Sequence, residues 1–240
     1  MPKYSCDLHI HSCLSPCGDN EMTPYNLVNM AKIMGLDLIA LTDHNSALNC
    51  PGALDAAKEA GITVVPGMEL TTSEEVHIVC LFPKLENALE FSEYVSRNMP
   101  KIKNRLDIFG EQLEMDHLDG VKSEQEYLLS VASFISIGSA QTAVQDFGGI
   151  CYPAHIDRPS FSLISNLGGF PQDVCFKNAE LSRFADERRL CAEHPSLCGM
   201  RRIRASDAHC LENVGAIFTQ LELEENSAQA LLELLRTEKR

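Results

Sequence analysis

The sequence predicts an α/β fold, in which strands and helices alternate along much of a 240-residue chain. Two observations lead to this prediction. Short apolar segments typical of buried strands recur along the chain, and capped helical segments separate the first of them. A hydrophobic fraction of 45% can fill the core of one large domain, or of one domain that carries an insertion. We therefore expect a parallel sheet or barrel with helices packed against it.

The first predicted strand covers about residues 4–11 and contains two histidines one residue apart. Alternate side chains of a strand share a face, so His9 and His11 project together, about two strand rises of 3.3 Å apart. Leu8 and Ile10 point to the opposite, apolar face. The spacing suits two nitrogens on one metal ion, although two unrelated core histidines would give the same pattern.

Helix signals separate the next three predicted strands. Thr23 and Pro24 form a typical N-cap and first helical position, and Gly35 ends that helix. A second helix begins near Pro51 and is closed by Gly61. The strands that these helices connect are predicted at about residues 37–42, 62–66 and 76–82.

The segment 84–145 has a different texture, with Glu, Lys and Leu at helical period. We predict a helical insertion over the functional site, which divides the barrel into residues 1–83 and 146–240. His117 lies in this insertion and is expected on the surface. The later strands are predicted at about 150–154, 174–181, 203–206 and 216–223, before an amphipathic helix at 227–236 that Asn226 would cap.

Composition excludes several classes of protein. A net charge of −14 argues against an extended nucleic-acid surface, although bound cations could still attract a small phosphate. Apolar stretches of about 20 residues and a signal-peptide pattern are both missing, so we expect a cytoplasmic protein that does not contact the membrane. The ten cysteines are scattered, which favours reduced thiols. Cys13 and Cys17 could form a metal or redox pair, but a second pair to complete a zinc site is missing.

Polar residues stand at the ends of five strand-like segments, where the strands of a barrel bring their side chains to one face. Four of these segments carry histidine, and a fifth carries a glutamate. The residues are His44, Glu69, His77, His155, Asp207 and His209.

Together these segments resemble the motifs of the PHP (polymerase and histidinol phosphatase) family of metal-dependent phosphoesterases. The resemblance covers the first 80 residues and about 148–215. It implies a distorted, seven-stranded (β/α)7-type barrel and two or three divalent metal ions. Imidazole ligands with bridging carboxylates suit manganese, iron or zinc better than magnesium or calcium.

The resemblance also implies three groups of metal ligands, of which the first two share Glu69. The first is His9, His11, Glu69 and Asp207; the second is Glu69, His77 and His155; the third is His44, His209 and Asp19. In many relatives a carboxylate directly follows the serine of the loop after the paired histidines. Here that loop is longer, and Asp19 comes later.

Three further residues are expected to assist the site. Asp7 and Asp43 could accept hydrogen bonds from ligating imidazoles, although Asp7 could instead cap a strand end. Arg158 follows His155 by three residues, and Pro159 keeps it extended, so its guanidinium could bind a substrate phosphate. A salt bridge to a surface carboxylate such as Asp157 is the alternative for Arg158.

The reaction that the resemblance implies is phosphoester hydrolysis by a metal-bound hydroxide, which requires no serine or cysteine nucleophile. The expected substrate is a small phosphorylated molecule, such as a nucleotide or the end of a short oligonucleotide. Three alternatives remain: a histidinol-phosphatase-like phosphomonoesterase, an amidohydrolase, and a PHP module that binds metal without turnover. A lysine placed to form the carbamylated bridge of many amidohydrolases is missing, and Glu69 already suits the bridging role.

Overall fold

The computed structural model describes residues 1–172 and 174–239 and confirms the predicted α/β class. The strands are β1 (Lys3–Ile10), β2 (Leu38–Leu41), β3 (Thr63–Thr71), β4 (His77–Leu81), β5 (Leu113–Met115), β6 (Val121–Glu124), β7 (Ile150–Pro153), β8 (Asn178–Leu181), β9 (Arg201–Arg204) and β10 (Thr219–Glu222). The α-helices are α1 (Pro24–Ile33), α2 (Cys50–Ala60), α3 (Leu85–Arg97), α4 (Leu106–Phe109), α5 (Ile137–Asp146), α6 (Leu163–Leu167), α7 (Glu187–Glu193) and α8 (Ala228–Arg236).

A curled six-stranded sheet, in the order β10-β1-β2-β3-β4-β7, forms most of the barrel. β1, β2 and β3 are parallel, whereas β4 is antiparallel to both of its neighbours. The parallel pair β8 and β9 continues the curve, because the Ile156 amide donates to the Glu180 carbonyl at 3.0 Å. The His11 amide donates to the Ala208 carbonyl, also at 3.0 Å, and connects the far side of that pair to β1. The predicted distorted barrel is thus a sheet completed by a separate strand pair.

β3 is longer than predicted, because it changes partner halfway along. Its first half, up to Pro66, pairs with β2, and its second half, from Gly67, pairs with β4. A Cβ atom on Gly67 would lie 2.6 Å from the carbonyl oxygen of Cys80, so only glycine allows the two strands to approach this closely. Pro66 and Gly67 are typical of a strand end, but here they mark the change of partner.

Helices cover one face of the sheet, and α8 covers one end of the barrel. Leu231, Leu232 and Leu235 of α8 are buried, and each contributes on the order of 2 kcal/mol. The N-cap of α8 is Ser227, whose hydroxyl accepts from the Ala230 amide at 3.1 Å. The prediction of Asn226 as the cap is therefore wrong by one residue.

The prediction of a helical segment between β4 and β7 is only partly correct, because this segment also contains two strands. β5 and β6 form an antiparallel hairpin, in which the Asp116 carboxylate accepts from the Leu118 and Gly120 amides at 2.8 and 2.9 Å. Asp119 adopts a left-handed φ of 61° in this turn. Asp-Gly is a strong hairpin signal, and here it marks the turn between two strands inside a segment predicted to be helical.

Helices α3 and α5 at the two ends of this segment pack into the main hydrophobic core. Phe91 and Val95 of α3 and Val144 of α5 are completely buried there. The β5–β6 hairpin contacts the loop after β1, since the Leu113 amide donates to the Cys13 carbonyl at 2.9 Å. The division of the chain into a barrel and an insertion stays a prediction. Within the described residues, the helices all fall short of the length and hydrophobicity required to cross a membrane.

Candidate metal centre

Glu69 lies at the centre of a cluster of histidines, with 1% of its surface exposed. Its carboxylate oxygens approach five imidazole nitrogens. The distances are 2.9 Å to His77 Nδ1, 3.0 Å to His155 Nε2, 3.1 Å to His44 Nδ1, 3.3 Å to His9 Nε2 and 3.4 Å to His11 Nε2. A carboxylate offers two oxygens, so this position suits a group that bridges two cations.

Backbone pairing explains why residues distant in sequence meet at Glu69. The Glu69 amide donates to the Asp43 carbonyl at 3.0 Å, and the Asn45 amide donates to the Glu69 carbonyl at 2.9 Å, which places His44 beside Glu69. His77 is the first residue of β4. Because β4 runs antiparallel to β3, its beginning lies at the same edge as the carboxyl ends of the parallel strands.

The histidines of β1 face each other across a short gap. His9 Nε2 and His11 Nε2 are 3.1 Å apart, and Asp207 Oδ1 lies 3.5 and 3.2 Å from them. The opposite ring nitrogens have partners of their own: His9 Nδ1 is 2.9 Å from Glu180, and His11 Nδ1 is 3.0 Å from the Ser15 hydroxyl. With a proton on each Nδ1 atom, both Nε2 atoms could give their lone pairs to a cation bound in the gap.

Ser15 connects Asp43 to His11. The Ser15 hydroxyl lies 2.6 Å from Asp43 and donates to this carboxylate, so it can only accept from His11. Asp43 also accepts from the Ser12 amide and hydroxyl, at 2.7 and 2.6 Å. Burial raises the pKa of Asp43, and these hydrogen bonds oppose the rise. Asp43 thus orients His11 through Ser15.

Asp7 supports the backbone near the cluster. Its carboxylate accepts from the Ser206 amide at 2.9 Å and the Gly215 amide at 3.1 Å. Burial raises the Asp7 pKa to about 6, against these hydrogen bonds. Asp7 therefore holds the segment that carries Asp207, and its contacts differ from the predicted hydrogen bond to a ligating imidazole.

Glu180 is a functional candidate that the sequence analysis missed. It is 1% exposed on β8, and its carboxylate contacts His9 Nδ1 and accepts from the His155 amide at 3.3 Å. Burial lowers the pKa of His9, but Glu180, Asp207 and Glu69 together raise it well above its ordinary value. The available signal was a carboxylate inside a strand that is otherwise buried and uncharged. Ser15 gave no comparable signal.

A third group of possible ligands contains Cys17 in place of the predicted Asp19. The ligand atoms of His11, Cys17, His44 and His209 all lie within 4.8 Å of one another. Asp19 is exposed, and its carboxylate accepts from the Glu21 amide at 3.1 Å. The structure therefore brings His44 and His209 together as predicted, but it directs the Asp19 side chain elsewhere.

The charged groups of the cluster shift one another's pKa values. Burial raises the pKa of Glu69, but His77 and His9 hold it well below its ordinary value. The Asp207 pKa is likewise lowered, because His9 and His11 outweigh the effect of burial. Both carboxylates are therefore ionised and able to bind cations.

Several buried atoms of the cluster lack a hydrogen bond in the described part of the chain. They include His44 Nδ1, His77 Nδ1 and His155 Nδ1. His44 Nδ1 and His77 Nδ1 lie close to the Glu69 carboxylate, but the angles of these contacts are unsuitable for hydrogen bonds. His155 and Asp207 also adopt left-handed φ angles of 27° and 49°, which cost about 1–3 kcal/mol each and often occur at functional sites. Buried ring nitrogens without a hydrogen-bond partner are suitable ligands for divalent cations.

Arg158 reaches the cluster from the loop after β7. Its Nη2 atom is 2.6 Å from Asp207 Oδ2, and 44% of its side chain is exposed. Asp157, the alternative partner, instead accepts from the Ser182 amide and hydroxyl at 2.8 and 2.5 Å. Arg158 therefore lies at the metal-binding face, as predicted from its distance to His155 in the sequence.

Two protein-family models match this sequence. The PHP domain family model matches residues 7–165, and the PHP-associated model matches residues 200–239. The chain belongs to the PHP-domain family. The first match contains the β1 histidines and Glu69, and the second contains Asp207 and His209.

The relatives of this PHP chain include nucleases. The 5'-3' exoribonuclease Rnm of Salmonella typhimurium is 29% identical over 119 residues, which is 48% of this chain and 39% of that protein. A lesion-specific endonuclease from Pyrococcus furiosus has a TM-score of 0.70 at 19% identity, over 98% of this chain and 56% of that one.

A Bifidobacterium adolescentis protein described as a metal-dependent phosphoesterase has a TM-score of 0.57 at 20% identity. The match covers 85% of this chain and 87% of that one. The structural likenesses establish the fold. The chain spans less than half the length of the curated exoribonucleases that it matches.

Proposed function

We propose that this PHP protein is a metal-dependent phosphoesterase that hydrolyses a phosphate ester of a nucleotide or of a short oligonucleotide end. The observation that carries the proposal is the set of imidazoles and carboxylates around Glu69, which lies beside a cleft that contains arginine. Family membership supports the reaction type. The exoribonuclease relatives support the substrate class.

The proposed ligands form overlapping groups that share Glu69. His9, His11, Glu69 and Asp207 would hold one cation, and Glu69, His77 and His155 would hold a second. Divalent manganese, iron or zinc would polarise the phosphoryl oxygens there and lower the pKa of water. Glu180 and Ser15 would fix the rings of the β1 histidines through their Nδ1 atoms.

A cleft of about 200 Å³ beside the cluster would hold the rest of the substrate. It is lined in part by Arg158, Arg183 and Phe184. The Phe184 side chain is 81% exposed, and the Arg183 guanidinium lies 4.6 Å from the centre of its ring. Arginine suits phosphate oxygens, and an exposed aromatic ring suits a nucleobase. The net charge of −14 favours a short ligand over a long nucleic acid.

A substrate panel tests the proposal. Protein reconstituted with manganese should hydrolyse nucleoside bisphosphates or the ends of short RNA or DNA faster than histidinol phosphate, amides or lactones. Metal-stripped protein is the control, because its loss of turnover would assign the activity to the cations. Preferred hydrolysis of histidinol phosphate would favour the phosphomonoesterase alternative. Tightly bound metal without turnover of any phosphoester would favour a non-catalytic module.

We expect the Arg158→Ala variant to use phosphorylated substrates about 10- to 100-fold less efficiently, as for the loss of a charge-assisted hydrogen bond. Its metal content should be retained, because Arg158 competes with a cation for Asp207. Arg158→Lys should restore only part of the activity, since the planar fork is lost. Steady-state kinetics and metal analysis of the same preparations measure both effects.

A matched control for Arg158 is Arg97→Ala, which removes an exposed arginine that pairs with Glu93 on α3. This control should retain wild-type kinetics. If Arg158→Ala also retained wild-type kinetics, the phosphate-binding role of Arg158 would be contradicted. Arg183 would then be the next candidate for that role.

A further inference from the structure

The Cys17 thiol lies among three histidines near the surface of the metal centre, and together they form the third group described above. One of the three histidines, His11, already has other partners. His11 Nδ1 binds Ser15, and His11 Nε2 lies 3.2 Å from Asp207 in the first ligand group. An imidazole nitrogen has a single lone pair, so His11 is already used. Cys17, His44 and His209 remain as the donors of the third group.

The loop after β1 holds Cys17 in this position. The Gly18 amide donates to the Ser15 carbonyl at 2.8 Å and closes a tight turn with Pro16 and Cys17 at its centre. A Cβ atom on Gly18 would lie 2.3 Å from the Ser12 carbonyl oxygen, so the turn requires glycine. The Asp19 amide donates to the His209 carbonyl at 2.8 Å and connects the loop to the segment after β9.

The histidines beside Cys17 provide independent signs of a ligand. His209 Nδ1 lies 2.8 Å from the Asp207 carbonyl, which can only accept, so the proton is on Nδ1 and the Nε2 lone pair is free. His44 is only 6% exposed, and its Nδ1 atom lies 3.1 Å from Glu69 without forming a hydrogen bond. The His44 and His209 rings both pack on His11, with centroid distances of 4.7 and 4.3 Å.

We propose that Cys17, His44 and His209 bind a third divalent cation through one sulfur and two nitrogens, and that Asp19 is not a ligand. This inference rests on the proposed metal centre. On binding, the S–H bond of Cys17 breaks, a sulfur–metal bond forms, and the proton passes to solvent. A thiolate selects zinc over the oxygen-preferring cations magnesium and manganese, so the third site should differ from the other two in metal preference.

Cys13 does not share this position, although it lies only four residues earlier. It is fully buried beneath the β5–β6 hairpin, and its Sγ atom faces the Leu113 carbonyl at 3.7 Å. The alternative of Cys13 and Cys17 as a metal or redox pair is therefore replaced by a single thiol that joins the histidines.

Cobalt(II) is a spectroscopic probe for the sulfur ligand. Apo-protein loaded with cobalt should show a thiolate-to-cobalt charge-transfer band in the near ultraviolet. Cys17→Ser should lose this band and one bound cation, whereas Cys175→Ser, which changes another exposed free cysteine, should retain both. Asp19→Asn should also retain both. An unchanged band in Cys17→Ser, or a cation lost from Asp19→Asn, would overturn the assignment.

Alkylation of the wild-type protein gives a second measurement that does not depend on the folding of a variant. Zinc should slow the reaction of iodoacetamide with Cys17 at least about tenfold, and it should leave the rate at Cys175 unchanged. Equal rates at Cys17 with and without zinc would contradict sulfur ligation. Neither measurement uses turnover, so a failure of this inference is distinguishable from a failure of the proposed phosphoesterase function.

Discussion

The His9→Ala variant should lose bound metal and phosphoesterase activity together, and His11→Ala should do the same. Their Nε2 atoms lie 3.1 Å apart and could both give their lone pairs to one cation, so either substitution removes a donor that no neighbour replaces. Because metal ions stabilise the transition state by several kcal/mol, we expect activity to fall by about a thousandfold. Elemental analysis and turnover, measured on the same preparation, test the prediction.

His117→Ala is the matched control for these variants. His117 lies in the turn region of the β5–β6 hairpin and belongs to none of the ligand groups found among the described residues. The control should keep wild-type metal content and turnover. If His9→Ala and His11→Ala also kept both near wild-type levels, the central assignment of the first ligand group would be refuted.

Most of the residues that meet at Glu69 could be predicted from the sequence, because strand periodicity and strand ends carry strong local signals. His9 and His11 share a face of β1, and Glu69, His155 and Asp207 follow or end apolar segments that the barrel brings together. Each of these residues could be recognised from a few neighbours in the chain.

The supporting residues were harder to predict, because their roles depend on contacts across the barrel. Glu180 orients His9 from a strand 171 positions later, and local sequence does not report that contact. Asp43 reaches His11 only through the Ser15 hydroxyl, and the hydroxyl position follows from the fold of the loop after β1. Asp7 instead supports the backbone of the segment before Asp207.

The loop after β1 shows the same limit. A carboxylate is the usual partner for cations, so Asp19 was the natural prediction from residue type. The turn closed by Gly18 places Cys17 among the histidines, and the Asp19 carboxylate accepts a hydrogen bond from the Glu21 amide. Which of two nearby donors faces a site is a property of backbone geometry, and residue type alone does not determine it.

The second large effect is expected from Glu69→Gln, a change that keeps the size of the side chain. The Glu69 carboxylate contacts imidazoles from both proposed cation sites, including His9 Nε2 at 3.3 Å and His77 Nδ1 at 2.9 Å. An amide has one oxygen and no charge, so it cannot bridge two cations or neutralise them. We expect the loss of at least one metal ion per chain, with activity lowered by about a thousandfold.

The control for Glu69→Gln is Glu222→Gln, which makes the same chemical change at an exposed position on β10. Glu222 lies 3.8 Å from Lys3, with both side chains more than half exposed, and such a pair contributes little to stability. Elemental analysis should therefore give the wild-type stoichiometry for Glu222→Gln and a lower value for Glu69→Gln. An unchanged stoichiometry in Glu69→Gln would mean that the cations are held without a bridging carboxylate. The imidazoles and Asp207 would then have to balance the charge of the cluster by themselves.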